Sequence, residues 1–272
     1  MRIVKKLVAF GVLGFLSSGL LQKSYALEIS VHDFPPFVQK LPNGEVGGPF
    51  RIIIDDICRE LSQTCHLSVA PNRRSKLQVE GGEVDAGFPY GWTQKRSQEY
   101  HYSVPFMLSE YGLFVSENNE IVVNGINDLQ GYQVAAFTPS MTLISLEGLR
   151  NDMLIQGLNP LRIFKKTDAN GQLVQMLAAD RISSYYSNKA LVEFRAEQFG
   201  VTGIRYAWRH KPVMYFLVFP RAYTDVSLVK KFNQAALKVF AQPNYLQGVL
   251  SPWNIEVPDL SEATLKRYKI ER

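Results

Sequence analysis

Beyond residue 26 the apolar positions of this chain switch repeatedly between a period of two and a period of three to four. Residues 27–34 read as a strand that stops at Pro35-Pro36. After the turn residues Pro42-Asn43-Gly44, the positions Phe50, Ile53, Ile54, Ile57 and Leu61 recur at helical spacing and predict a helix over 51–62. A strand over 66–70, a short helix over 75–80 and a strand over 84–88, bounded by Gly81-Gly82 and Pro89, follow. Such β-α-β-α-β order predicts a mostly parallel sheet with helices on both faces.

A further strand at 111–115 leads into the polar run 116–120, after which the alternation starts again and predicts a second lobe. Its strands fall at 133–137, 161–164 and 182–186, its helices near 141–149, 172–178 and 189–198. The apolar run 213–219 predicts one more strand. Val226, Val229, Phe232, Ala236 and Phe240 then mark a long amphipathic helix. There is no internal repeat and no low-complexity segment.

The first residues change the picture of composition. Arg2, Lys5 and Lys6 precede an apolar run over 7–21, and Ser24-Tyr25-Ala26 places small residues where a signal peptidase needs them, so cleavage after Ala26 is expected. The run is broken by Gly11, Gly14, Ser17, Ser18 and Gly19, which argues against a membrane anchor. The leader holds four basic residues and no acid, so 26 basic and 25 acidic residues remain and the net charge falls from +5 to +1. A nucleic-acid-binding surface needs clustered excess positive charge, and that class is set aside. Cys58 and Cys65, the only cysteines, both lie in the exported part. A disulfide between them is expected, which an oxidising compartment permits; a pair of buried thiols is the alternative.

Enzyme signatures are missing: there is no G-x-S-x-G elbow, no phosphate loop and no H-E-x-x-H. His32, His66, His101 and His210 are scattered without metal-ligand spacing, so neither a metal nor a cofactor is expected. Candidate binding chemistry instead falls in the loops that follow the strands, where open α/β sheets hold ligands. The first is Asp33-Phe34-Pro35-Pro36-Phe37, where a ring could cover the apolar face of a ligand, Phe37 being the better core residue. The second runs from Tyr90 and Gly91 through Thr93 to Arg96, whose planar fork suits a carboxylate. The third, Thr138-Pro139-Ser140, offers hydroxyls at a helix start; capping explains them equally well. The fourth ends at Asn188, which either binds a ligand or caps the next helix.

In their order along the chain these segments resemble the extracellular solute-binding proteins of the amino-acid type, family 3. The resemblance rests on Phe34-Pro35-Pro36-Phe37, the Gly47-Gly48 turn into the helix with Asp55, and Gly82-Glu83-Val84-Asp85-Ala86-Gly87. Further along it rests on Thr93 to Arg96 with Tyr102-Ser103-Val104-Pro105-Phe106, on Asp128-Leu129-Gln130-Gly131, and on 215–219 and 228–240. It implies two α/β lobes joined by two crossing strands near 111–115 and 215–219. The first lobe would comprise 27–112 and 218–272, and the second 113–217. It also implies a monomer that closes on a small polar solute in the periplasm and hands it to an ATP-driven importer of the inner membrane. A sensor subunit of a membrane receptor, and an enzyme resembling cyclohexadienyl dehydratases, are the alternatives. In such proteins the arginine matching Arg96 grips a carboxylate. Pro89 and Gly91 replace the residues that usually bond the amino acid, and neutral Asn188 stands where a carboxylate usually holds the ammonium. The expectation is therefore a carboxylate-bearing solute, an amino acid or a relative, the countercharge for an ammonium having to come from Asp33 or another acid.

Overall fold

The computed structural model describes residues 26–167 and 171–272, so the leader read at 1–26 lies, apart from Ala26, outside the described residues. The strands are β1 (Leu27–Val31), β2 (Gln39–Lys40), β3 (Val46–Gly47), β4 (Cys65–Val69), β5 (Ala86–Gly91), β6 (Tyr100–Tyr102), β7 (Met107–Ser116), β8 (Gln133–Phe137), β9 (Arg162–Lys166), β10 (Tyr185–Asn188) and β11 (Ile204–Pro220). The helices are α1 (Pro49–Glu60), α2 (Asn72–Glu80), α3 (Arg96–Glu99), α4 (Met141–Ile155), α5 (Gln172–Ala178), α6 (Lys189–Gln198), α7 (Val226–Phe240), α8 (Tyr245–Leu250) and α9 (Glu262–Arg267).

Helices form where the apolar stripe was strongest. α1 turns Phe50, Ile53, Ile54 and Ile57 inward, and α7 does the same with Val229, Phe232, Ala236 and Val239. Both pack on one face of the first lobe, whose core stacks Phe50 on Phe88 at 3.8 Å and Phe106 on Phe232 at 6.4 Å. Asn233, fully buried in α7, accepts from the Val104 N–H at 2.9 Å and donates to the carbonyls of Tyr102 and Glu271, which pins the C-terminal tail to this lobe. The second lobe has its own core around Leu113, Val134, Leu146, Met153 and Tyr186. Cys58 and Cys65 are bridged, tying the end of α1 to β4. A loop this short contributes about 2 kcal/mol by restricting the unfolded chain.

Nine strands run as one sheet in the order β4-β1-β5-β11-β7-β10-β8-β9, with β6 also pairing β11. β4, β1 and β5 are parallel, as are β10, β8 and β9. Between these two parallel blocks lie the antiparallel partners β7 and β11, in register from Ile204↔Ser116 to Tyr215↔Met107. The chain therefore passes between lobes along two long strands, and β11 reaches well upstream of the apolar run 213–219. Its first half is polar, with Arg205, Arg209, Lys211 and Pro212. It pairs on one side only, with β7, and irregularities at Tyr206/Trp208 and Arg209/Lys211 let it turn.

Gly112 sits where these strands press closest. A Cβ there would lie 2.2 Å from the Tyr206 hydroxyl oxygen and 2.3 Å from the Trp208 carbonyl oxygen, and the carbonyl belongs to the partner backbone and cannot swing aside. Gly112→Ala is expected to destabilise the protein by about 1–3 kcal/mol, the usual range for overpacking, read as a lower midpoint in chemical denaturation.

Candidate functional site

Parallel strands end together, so the loops after β1 and β5 emerge side by side, Val31 pairing with Phe88. From β1 come His32, Asp33 and Phe34; from β5 come Tyr90, Gly91 and the turn into α3. Phe34 is half-buried and stacks on the fully buried Phe37 at 5.2 Å and edge-on to Tyr215 at 5.5 Å. Phe37 is thus core, and Phe34 is the ring that remains partly open.

Arg96 is the centre of this edge. Its backbone N–H donates to Thr93 Oγ1 at 3.1 Å, which sets the first turn of α3. Its Nη1 donates to the Gly91 carbonyl at 3.0 Å, and its guanidinium carbon lies 5.1 Å from the Tyr90 ring centre. One of five N–H groups is thereby used to orient the fork, and no carboxylate lies within ion-pairing distance among the described residues. Such a half-buried, oriented guanidinium can offer two parallel hydrogen bonds to a carboxylate.

The floor is a hydroxyl network where the lobes meet. Asn188 Oδ1 accepts from the Leu191 N–H at 3.1 Å and from Ser109 Oγ at 3.1 Å, while its Nδ2 donates to the Tyr215 hydroxyl at 2.9 Å. Tyr215 is in turn bonded to Tyr111. Burial raises both phenols above their ordinary range, so they stand as neutral groups. Asn188 is therefore occupied as the cap of α6 and as the joint between β7, β10 and β11.

Ser140 likewise caps α4, accepting from the Leu143 N–H at 3.0 Å and donating to the Phe137 carbonyl at 2.6 Å. Thr138, beside it, donates its N–H to the Lys166 carbonyl. Asp33 accepts from the Lys40 N–H at 2.9 Å and pairs with Arg195 of α6 at 3.6 Å, a contact from lobe to lobe. The structure thus gathers Phe34, Tyr90, Gly91, Thr93 and Arg96 at one edge. The loop after β1 and the crossing strands also bring in His32, Tyr111 and Tyr215, and α6 brings in Arg195, none of which sequence reasoning selected. A lone histidine, two tyrosines inside apolar strands and an arginine in the last turn of a helix carry no local signal of a site.

His32 and His210 are both lowered to about 4 from the ordinary 6.5, chiefly by burial, with the Arg96 charge adding at His32 and Lys211 at His210, where Asp152 opposes it. His210 also bonds the Tyr186 hydroxyl and stacks on Trp208. The unfolded chain protonates these rings below about pH 6.5, whereas the folded one resists until about 4. The stability they contribute is complete above that upper value and lost as pH falls through the window. Urea midpoints are expected to drop between about pH 7.5 and pH 5, and to drop less in a His32→Gln, His210→Gln double variant.

No protein-family model and no curated protein sequence matches the chain. Solved structures do. A probable amino-acid ABC transporter extracellular-binding protein, ytmK from Bacillus subtilis, superposes with a TM-score of 0.72 at 15% identity, covering 85% of this chain and 98% of its own. A histidine kinase sensor domain with similarity to periplasmic binding proteins gives 0.71 at 16%, covering 86% and 98%. The fold is that of the two-lobed periplasmic binding proteins. A third structure with this fold, the ancestral amino acid-binding protein AncCDT-1, a precursor of cyclohexadienyl dehydratase, gives 0.68 at 14%, covering 84% and 94%. One architecture thus serves a transport protein, a sensor and the forerunner of an enzyme. Among the described residues no helix is long and apolar enough to cross a membrane.

Proposed function

We propose that this chain is an exported, monomeric solute-binding protein that closes its lobes, 27–112 with 218–272 and 113–217, on a small carboxylate-bearing solute. It then delivers the solute to an ABC-type importer. The observation that carries this reading is Arg96: a guanidinium oriented by Gly91 and Tyr90 at the carboxyl edge of a parallel sheet, unpaired with any acid among the described residues. Closure is supported by the Asp33–Arg195 pair, which joins the loop after β1 to α6 of the other lobe. β7 and β11 supply the hinge.

A thermal-shift screen of amino acids, hydroxy acids, dicarboxylates, amines and sugars tests it. A solute present at a hundred times its Kd adds about 2.7 kcal/mol and raises Tm. A shift by carboxylates is expected; a shift only by amines or sugars, or by nothing, overturns it. Sensing rather than transport is the second reading, favoured by the likeness to the kinase sensor domain. Affinity capture from membranes that recovers a permease supports delivery, and capture of a kinase alone supports sensing.

A further inference from the structure

We infer that the solute held on Arg96 is an organic acid with no free ammonium group, a hydroxy or oxo acid rather than an α-amino acid; this rests on the reading above. The reason is the distribution of charge around Arg96. Consecutive residues of a strand point to opposite faces, so Tyr111 and Glu110 of β7 are on different sides of the crossing strands. Arg96 is fixed at the edge of β5, its Nη1 on the Gly91 carbonyl that the Tyr102 hydroxyl also approaches, and Gly91 pairs with Tyr215 of β11. Glu110, on the face of β7 opposite Tyr111, is buried and already paired with Lys189 and Arg209.

Glu193 of α6 lies with Glu110, sharing a recess with it and Lys189, and the other nearby acids are engaged or remote. Asp33 is held by Arg195 and the Lys40 N–H. Glu80, behind Tyr90, is bonded to the Tyr100 hydroxyl and to Lys76. Glu99, the other acid acting on these tyrosines, is exposed on α3. On the side of α4, Asp152 acts on His210 and Lys211 near the C-terminal end of that helix, away from its Ser140 cap. What lies against Arg96 is the Tyr90 ring and the Gly91 carbonyl, with the Tyr102 hydroxyl on the same carbonyl, no acid within ion-pairing distance among the described residues, and Asn188 turned to internal bonds; burial keeps the Tyr90 and Tyr102 phenols neutral. An ammonium enclosed there would lose its water without gaining a countercharge, whereas a hydroxyl or carbonyl can exchange hydrogen bonds with phenols.

Titration calorimetry on the mature wild-type protein with skeleton-matched pairs tests this: L-lactate against L-alanine, L-2-hydroxyisocaproate against L-leucine, and L-3-phenyllactate against L-phenylalanine. Within each pair only the hydroxyl and the ammonium differ. The hydroxy acid of at least one pair is expected to bind ten-fold or more tightly than its amino acid. Equal or tighter binding of the amino acid in every pair that binds overturns the inference; if that binding is lost in Arg96→Ala, the carboxylate site of the proposed function stands. Failure of all six, with the wider screen also blank, overturns both; where the screen finds another carboxylate, tighter binding of its amino-substituted analogue overturns the inference.

Discussion

Arg96→Ala is expected to weaken binding of the carboxylate solute by about thirty-fold to several thousand-fold, the equivalent of 2–5 kcal/mol for a desolvated charged partner. The argument is geometric. The Gly91 carbonyl and the Tyr90 ring hold the guanidinium in place before any ligand arrives, so little side-chain entropy remains to be lost on binding. Alanine removes the fork and leaves the ligand carboxylate facing neutral phenols. The folded state loses one hydrogen bond and one cation–π contact, and Gly91 keeps the Tyr102 hydroxyl at 3.5 Å, so stability should fall by only about 1 kcal/mol. Arg96→Lys keeps the charge without the planar fork and should fall between the two. Calorimetry with the best ligand of the screen measures all three; wild-type affinity in Arg96→Ala would remove Arg96 from the site.

Asn188→Ala is expected to do the reverse, costing the fold more than the affinity. The change removes the cap of α6, worth about 1 kcal/mol, leaves the Ser109 hydroxyl without its acceptor and takes from the Tyr215 hydroxyl the donor it accepts from, both in a buried joint. The total should be about 3 kcal/mol, or on the order of 6–12 °C in Tm for a chain of this size. Because both polar ends of Asn188 already serve the protein, ligand affinity measured well below Tm should change by less than about ten-fold. A large affinity loss with an unchanged Tm would instead make Asn188 a ligand contact.

These two residues show how far local sequence reaches. At Asn188 the residue type permitted two roles, capping and binding, and only its neighbours in space, Ser109 and Tyr215, 79 and 27 residues away in sequence, decide which bonds it makes. Ser140 was equally open and proves to cap α4. At Asp33 the sequence offered a countercharge for a ligand, and the fold brings Arg195 to it from the other lobe.

Secondary structure was legible where burial is one-sided and sustained. Helices 172–178, 189–198 and 226–240 and the strand 133–137 fall where the pattern placed them. It was least legible in β11, whose polar first half is a strand because β7 lends it a hydrogen-bonding edge, and in the two-residue pair β2–β3, too short to show any period. The short α8 and α9 near the C-terminus were missed for the same reason of length.

By itself, then, the sequence determined the α/β class and the order of the longer strands and helices, which follow from short-range periodicity and residue type; Arg96 came forward as the strongest candidate through the resemblance to the family 3 binding proteins. The tertiary structure alone decided that Cys58 and Cys65 are bridged, that Phe34 stays partly open against the buried Phe37, that Asn188 and Asp33 are spent on internal bonds, and that Arg96, held by Gly91, has no acid paired with it among the described residues. Each of those depends on which distant segments meet, and pairing across tens of residues is set by packing of the whole sheet, which leaves no trace in the local pattern.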